Sequence, residues 1–96
     1  MIEQRKIRIG DRAVEALAFS LTDKNLIVLR GSRGYIMCGY LNLEAAEKFN
    51  DVAVKITGVS TIDDALKANV VSCTKTAKDL GIAVGQPIQD VLRIIA

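Results

Sequence analysis

The chain has 96 residues, half of them hydrophobic and a quarter charged, which is the balance of one folded domain and argues against a disordered or fibrous protein. Its two cysteines are far apart and it has no histidine, so we expect neither a zinc site nor a redox dithiol, and no metal or cofactor. The start of the chain lacks the apolar core of a signal peptide, and no apolar run is long enough to cross a bilayer. We therefore expect a cytoplasmic protein with reduced thiols and no membrane partner.

The net charge of +2 is unevenly distributed along the chain. Residues 1–40 carry seven basic and four acidic side chains, whereas residues 41–96 carry six basic and seven acidic ones. The basic cluster at Arg5, Lys6 and Arg8 has no aromatic side chains interleaved with it that could stack on bases. We interpret this cluster as a solvated strand face and do not expect a nucleic-acid partner.

The first part of the chain is predicted to form a β-hairpin. Apolar residues alternate with Lys6 and Arg8 around residues 7–9, and the same period of two returns at Leu17, Phe19 and Leu21, which predicts strands at 2–9 and 12–21. Gly10 and Asp11 between them can adopt the positive φ angles of a tight two-residue turn. The two strands should therefore pair antiparallel.

Two further strands are predicted before the middle of the chain. The segment "TDKN" at 22–25 has the composition of a turn, and "LIVL" at 26–29 has the continuous apolar character of a strand buried on both faces. A second turn, "RGSRG" at 30–34, precedes a fourth strand, "YIMCGY", at 35–40. Residues 1–40 are therefore expected to be mainly β-structure.

The chain then alternates between helix and strand. Asn42 is suited to cap a helix that continues to residue 50, with Leu43, Ala46 and Phe49 on its apolar stripe. The segment "VAVKITGV" at 52–59 resumes the alternation of a strand. A strand, helix, strand order requires a parallel crossover between the fourth and fifth strands if both belong to one sheet.

Three more helices are predicted towards the C-terminus. Thr61 followed by Asp64 fits a capping box, which begins a helix that extends to residue 69. After a short edge strand or extended link at "VVSC", Thr74 caps a short helix that ends at Gly81. Pro87 suits the first position of a last helix that has an apolar stripe.

The order of these elements predicts a single α+β domain over residues 1–96. N-terminal antiparallel strands are followed, from residue 41 onward, by a mixed strand and helix half with one parallel βαβ crossover. A domain of this size buries roughly 65% of the surface that its unfolded chain exposes, so its stability margin is narrow. Association with further copies of the chain is therefore expected.

Three motifs, "GYIMCG", "TGVSTIDDAL" and "TAKDLGIAVG", in this order and with these gaps, resemble the YunC-like proteins of bacteria and archaea. This family is labelled as a domain of unknown function, and the resemblance runs from about Asn25 to Gly85. It implies an α+β domain whose N-terminal β region serves the formation of a homotetramer. It implies no reaction, substrate or cofactor, and it assigns no catalytic residue.

Cys38 is the candidate for a reactive side chain. It lies near the end of the fourth predicted strand, four residues before the cap Asn42, and a nearby helix N-terminus stabilises a thiolate. Such a cysteine could act as a catalytic nucleophile without histidine, with Lys55 as the nominee for a base. The alternative is that Cys38 packs in the core with Ile36, as free cysteines commonly do. Cys73 has no such surroundings, and we interpret it as structural.

A second candidate is an anion pocket at the edge where the parallel strands end. Ligands of such sheets favour the carboxyl ends of the strands, and two helix N-termini would meet there. Five polar residues are candidates for this ligand-binding site: Arg33, Lys55, Thr57, Ser60 and Thr61. The alternative is that Thr61 only caps its own helix, whose acidic first turn would repel an anion.

Three functional classes are consistent with the sequence. The first is a module that binds a small anionic metabolite or a protein partner at the shared edge. The second is a thiol-dependent enzyme that uses Cys38, and the third is a structural homotetramer without a ligand. Phosphate-binding loops, dinucleotide fingerprints, serine-hydrolase elbows and metalloprotease motifs are missing, so the sequence leaves open whether the protein is an enzyme.

Overall fold

The computed structural model describes residues 2–96 and contains, within them, one six-stranded sheet and four helices, which confirms the predicted α+β class. The strands are β1 (Ile2–Ile9), β2 (Arg12–Leu21), β3 (Lys24–Arg30), β4 (Tyr35–Met37), β5 (Ala53–Lys55) and β6 (Ser72–Cys73). The helices are α1 (Leu43–Lys48), α2 (Ile62–Leu66), α3 (Lys75–Asp79) and α4 (Ile88–Ile95).

The six strands lie in the sheet in the order in which they follow one another along the chain. β1 pairs antiparallel with β2, β2 with β3, and β3 with β4, which agrees with the predicted antiparallel N-terminal strands. β4 and β5 are parallel, with Ile36 opposite Val54, so the predicted crossover through α1 is confirmed. β6 pairs antiparallel with β5 at the edge of the sheet. The carboxyl ends of β4 and β5 therefore meet at one end of the sheet.

One face of the sheet packs against α2, α3 and α4. The apolar stripe of α4 that its spacing predicts is buried and consists of Ile88, Val91, Leu92 and Ile95. It shares one core with buried side chains of β2, β3, β4 and β5, to which α2 contributes Ile62 and Ala65 and α3 contributes Ala77. Within residues 2–96, no helix has both the length and the apolar character needed to cross a membrane.

Helix α1 lies on the opposite face of the sheet, beside β4 and β5. Ala46 of this helix packs with Leu41 and Ala53, and Tyr35 and Met37 border this smaller cluster. The remainder of that face, over β1, β2 and β3, is not covered by any part of the chain that the structure describes.

The uncovered face carries large apolar side chains. Leu17 and Phe19 of β2 point to it and are 36% and 41% exposed, whereas Ala16 and Ala18 beside them are buried in the core. Ile2 lies opposite Phe19 in the neighbouring strand and is 66% exposed. In this part of β2 the alanines thus face the core and the larger side chains face outward.

This open face corrects one prediction about β3. Ile27 and Leu29 are buried, but Leu26 and Val28 face the uncovered side and are only partly buried. The prediction that residues 26–29 are buried on both faces is therefore wrong for a single copy of the chain, because no helix within residues 2–96 covers the second face there.

Several elements are shorter than the sequence pattern predicts. α1 ends at Lys48, so Phe49 follows its last turn and is 76% exposed instead of lying on the apolar stripe. β4 ends at Met37 and β5 ends at Lys55, because the chain leaves the sheet after each of them. Pro87 is the N-cap of α4 and not its first helical residue. The long segments that follow β4 and β5 form the site described next.

Candidate functional site

A cavity of about 500 Å³ lies at the carboxyl ends of β4 and β5. Three segments line it, namely residues 23–25 where the turn between β2 and β3 passes into β3, residues 38–40 after β4, and residues 57–60 after β5. Ligands in sheets with parallel strands commonly bind at such an edge, outside the carboxyl ends of the strands. The cavity therefore occupies the position that the sequence predicts for a ligand site.

A tight turn ends β4 and forms one wall of the cavity. The Leu41 N–H donates to the carbonyl oxygen of Cys38 at 3.0 Å, which closes a β-turn with Gly39 and Tyr40 at its centre. The next residue, Asn42, caps α1 by accepting a hydrogen bond from a backbone N–H of that helix at 3.0 Å. Asn42 thus satisfies one N–H group of α1, and the turn borders the cavity whereas no residue of α1 does.

The Cys38 side chain lies between the core and the cavity. Cys38 is 5% exposed and belongs to the main core cluster, and it also borders the cavity. Its sulfur accepts a hydrogen bond from the Ile27 N–H at 3.4 Å. A regular antiparallel ladder would offer the Cys38 carbonyl for this N–H, but that carbonyl accepts from Leu41 in the turn. Both descriptions that the sequence left open, a core thiol and a site thiol, are therefore compatible with its position.

The loop after β5 forms the opposite wall. Gly58 has a φ of 71°, which is the left-handed region that favours glycine. The Asn25 side-chain amide donates to the Ser60 carbonyl oxygen at 2.7 Å and so joins this loop to the start of β3. The Asp64 N–H donates to the Thr61 hydroxyl at 3.0 Å, and the Asp64 carboxylate accepts from the Ser60 N–H at 3.1 Å. This reciprocal arrangement is close to the predicted capping box and fixes the loop without a ligand.

Several backbone N–H groups of the cavity wall donate to no acceptor within residues 2–96. They belong to Gly39 and Tyr40 in the turn and to Thr57, Gly58 and Val59 in the loop. The N–H groups of the two central residues of a β-turn take no part in the hydrogen bond of the turn itself. Backbone N–H groups without protein partners bind water or a ligand, and successive ones attract anions. The two walls therefore favour a molecule that offers acceptor oxygens.

The side chains of the wall add one charge of each sign. Asp23 lies in the turn between β2 and β3, Lys24 is the first residue of β3, and both are exposed. The hydroxyl groups of Thr57 and Ser60 lie on the loop wall and can donate or accept hydrogen bonds. The sequence pattern "TDKN" indicated a turn but held no signal that this turn borders the edge of β4 and β5.

The structure brings together three of the residues predicted for the site. Cys38, Thr57 and Ser60 border the cavity. Thr61 follows directly and caps α2 with its hydroxyl group, as its alternative interpretation states. Gly39 completes the turn wall, and its only signal in the sequence was its place between a strand and a cap.

Two predicted residues lie elsewhere. Lys55 is paired with Met37 in the sheet, so it faces the side opposite to Cys38, which is the next residue after Met37. Arg33 precedes β4, and its N–H donates to the Ile95 carbonyl oxygen at 2.9 Å at the other end of that strand. Neither residue lines the cavity, and the cation that does so is Lys24.

The thiols and potential metal ligands complete the chemistry of the chain. Cys38 and Cys73 are both free thiols and both buried. Burial raises the pKa of Cys73, so this thiol stays protonated and unreactive at neutral pH. No group of three or more histidine, cysteine, aspartate or glutamate side chains that could hold a metal ion is present in residues 2–96.

Comparisons with known proteins identify the family to which this chain belongs. Residues 37–95 match a family described as a domain of unknown function, DUF1805, and the chain belongs to this family. The resemblance to YunC-like proteins is confirmed, since the uncharacterized protein YunC of Bacillus subtilis is 34% identical over 96 residues, covering 96% of this chain and 95% of that protein.

A solved structure resembles this one over its whole length. The crystal structure of a protein of unknown function from Thermoplasma acidophilum matches with a TM-score of 0.95 and 36% sequence identity. The match covers 100% of this chain and 94% of that chain. The family match includes both the turn after β4 and the loop after β5. Because the family is described as a domain of unknown function, the function has to be inferred from the geometry of the site.

Proposed function

We propose that this protein is a binding module for a small molecule that carries a carboxylate or phosphate group, and that the cavity at the ends of β4 and β5 is its site. One observation carries the proposal: two walls of a cavity of about 500 Å³ present backbone N–H groups without protein acceptors. Small-molecule sites in proteins typically measure roughly 300–1,000 Å³. The cavity therefore suits a ligand of metabolite size.

The charges of the wall narrow the class of ligand. The N–H groups and Lys24 attract an acidic group, because oriented backbone dipoles act as partial positive charges. Asp23 in the same turn opposes a highly charged polyanion and can accept a hydrogen bond from a hydroxyl or amino group. A ligand with one acidic group and at least one such donor, for example a small hydroxy acid or a sugar phosphate, fits both features.

The test is a titration of ¹⁵N-labelled protein monitored by NMR, with inorganic phosphate, lactate and glycerol 3-phosphate as probes. We expect saturable shifts of the amide signals of Gly39, Tyr40, Gly58 and Val59 with at least one probe.

Lys24→Gln should weaken this binding. The matched control is Arg33→Gln, which removes a positive charge at the other end of β4 and should leave the binding unchanged. If no probe shifts the cavity amides saturably, the proposal is refuted.

We also propose that the protein assembles as a homotetramer through the open face of β1, β2 and β3. Leu17, Phe19 and Ile2 form an exposed apolar area on this face, and covering such an area with a second copy removes it from water. A groove of about 240 Å³ beside Leu17 and Val28 offers a depression into which side chains of a second copy can pack. β1 is moreover an edge strand of eight residues, which leaves one side of its backbone free to pair.

Light scattering on a size-exclusion column tests this assembly, with a tetramer of 10.4 kDa chains as the expected result. Phe19→Lys should dissociate it by placing a charge in the interface. Phe49→Lys is the matched control, because Phe49 is also exposed but lies beyond α1, away from the open face. A monomeric wild-type protein at micromolar concentration would contradict the assembly.

A thiol-dependent reaction at Cys38 is a second candidate, which the position of Cys38 in the cavity wall favours. The free N–H groups of Gly39 and Tyr40 lie next to it in sequence and could stabilise an oxyanion formed when the sulfur attacks a carbonyl carbon. On this hypothesis, Cys38 reacts rapidly with iodoacetamide at pH 7 in the native protein, whereas Cys73 does not. Equal and slow labelling of both thiols in the native state would exclude such an enzyme.

A homotetramer without any ligand is the third candidate, and an assembled protein that binds none of the anionic probes would support it. We place each of these activities in the cytoplasm, because two free thiols are typical of a reducing compartment. Cell fractionation that recovers the protein outside the cytoplasm would contradict this location.

A further inference from the structure

Gly39 is the one glycine of the chain that the fold does not require. The other six of the seven glycines have a structural reason. A positive φ explains Gly10, Gly58, Gly81 and Gly85, and an added Cβ would collide with the Ile95 backbone at Gly31 and with Val52 at Gly34. The φ of Gly39 lies outside the left-handed region, and a Cβ added there would meet no protein atom within 4 Å.

A glycine without a structural reason calls for another explanation, because glycine is costly in a folded protein. It loses more backbone freedom on folding than any other residue, so alanine usually stabilises a protein where the backbone angles allow it. Gly39 also occupies the first central position of the turn from Cys38 to Leu41, which accepts most residue types. Glycine is favoured at such a place when a ligand has to approach the backbone closely.

We propose, on the basis of the proposed function, that Gly39 determines the specificity of the cavity. Its missing side chain leaves room for the carboxylate or phosphate group of the ligand to lie against the backbone of the turn. The group accepts hydrogen bonds from the N–H groups of Gly39 and Tyr40, which have no protein acceptor within residues 2–96. The remainder of the ligand then faces Asp23 and Lys24 on the third wall.

With this role for Gly39, an added side chain at position 39 weakens ligand binding without destabilising the fold. Hydrogen bonds between an N–H group and an anionic oxygen require the two heavy atoms to approach to about 2.7–2.9 Å. A methyl group on the α-carbon of residue 39 takes up part of the space beside these N–H groups and hinders that approach. The same methyl group contacts no protein atom, so the fold accommodates it.

The experiment compares Gly39→Ala with the wild type and with Gly10→Ala, using the same three probes and the same NMR titration. Gly10 is the matched control, because an added Cβ there also meets open space, but its φ of 65° strains alanine and it lies in the turn between β1 and β2. We expect Gly39→Ala to melt at or above the wild-type temperature and to bind the probe about ten- to a hundredfold more weakly. Gly10→Ala should melt at a lower temperature and bind the probe with wild-type affinity.

The outcomes distinguish this inference from the proposed function. If the wild type and Gly39→Ala bind a probe equally well, the role of Gly39 is overturned and the cavity remains the binding site. If no probe shifts the cavity amides of the wild type, both are overturned. A second test uses the wild-type protein alone, so it can be applied even if Gly39→Ala fails to fold. The amide protons of Gly39 and Tyr40 should show the largest downfield shifts on titration, and shifts confined to the loop after β5 would overturn the inference.

Discussion

Replacing Thr74 with valine is expected to destabilise the fold strongly, although the two side chains have nearly the same shape. Thr74 is fully buried, and its hydroxyl group donates to the Asp51 carbonyl oxygen at 2.7 Å. The Thr74 hydroxyl oxygen in turn accepts hydrogen bonds from the N–H groups of Ala53 and Ala77, each at 3.2 Å. One hydroxyl group thus joins the start of β5 to the N-terminus of α3 and supports the strand that leads to the cavity.

The size of the effect follows from these contacts. Loss of an N-cap typically costs about 1 kcal/mol. Leaving the buried Ala53 N–H without an acceptor costs about 1–3 kcal/mol more. We therefore expect Thr74→Val to lower the free energy of unfolding by about 2–4 kcal/mol, out of the roughly 5–15 kcal/mol typical of a folded domain. The melting temperature should fall by roughly 10–25 °C.

Urea denaturation followed by circular dichroism measures this difference, at one fixed protein concentration because the proposed assembly would make stability depend on concentration. Thr76→Val is the matched control, since it makes the same chemical change at a partly buried position of the same helix. Threonine and valine have similar helix propensities, so this control should change the stability little. Equal free energies of unfolding for the two variants would refute the assignment of the Thr74 hydroxyl.

One phenol group and one carboxyl group make the stability depend on pH, in opposite directions. Burial, and then the hydrogen bond to Asp51, raise the pKa of Tyr35 from 10.0 to about 12, so its stabilising contribution is lost as the pH rises through this window. Denaturation at high pH should show this loss in the wild type and in Tyr40→Phe but not in Tyr35→Phe, and identical profiles would contradict it. The hydrogen bond from Arg5, at 2.7 Å, and its charge lower the pKa of Asp63 below its ordinary value of 3.8. This contribution is present at neutral pH and is lost as the pH falls through the lowered pKa, so acid should destabilise the wild type more than Asp63→Asn. A wild type that is no more acid-sensitive than this variant would count against the ion pair.

Local patterns in the sequence were sufficient to predict most elements of this fold. Gly10 and Asp11 indicated the first hairpin, and the spacing from Ile88 to Ile95 indicated the buried stripe of α4. Asn42, Thr61 and Thr74 were each predicted to be caps, and each accepts a hydrogen bond from its own helix. Such features depend on neighbours within a few residues, so the sequence shows them directly.

The position of the cavity was also predictable in part. A strand, helix, strand order determines that β4 and β5 are parallel, and parallel strands end at the same edge. Cys38, Thr57 and Ser60 follow those ends in the sequence and do border the cavity.

Only the tertiary structure decided which faces are covered and which distant segments meet. Alternation in β2 could not tell whether Ala16 and Ala18 or Leu17 and Phe19 face the core, because both sets have the period of a strand. Residues 23–25, at the start of β3, form the third wall of the cavity through contacts with residues more than ten positions away. Periodicity is a property of the backbone of one segment, whereas burial depends on what packs against that segment. The sequence by itself therefore determined the elements and their order, and the packing of α1 and α4 on opposite faces decided which side of the sheet stayed open.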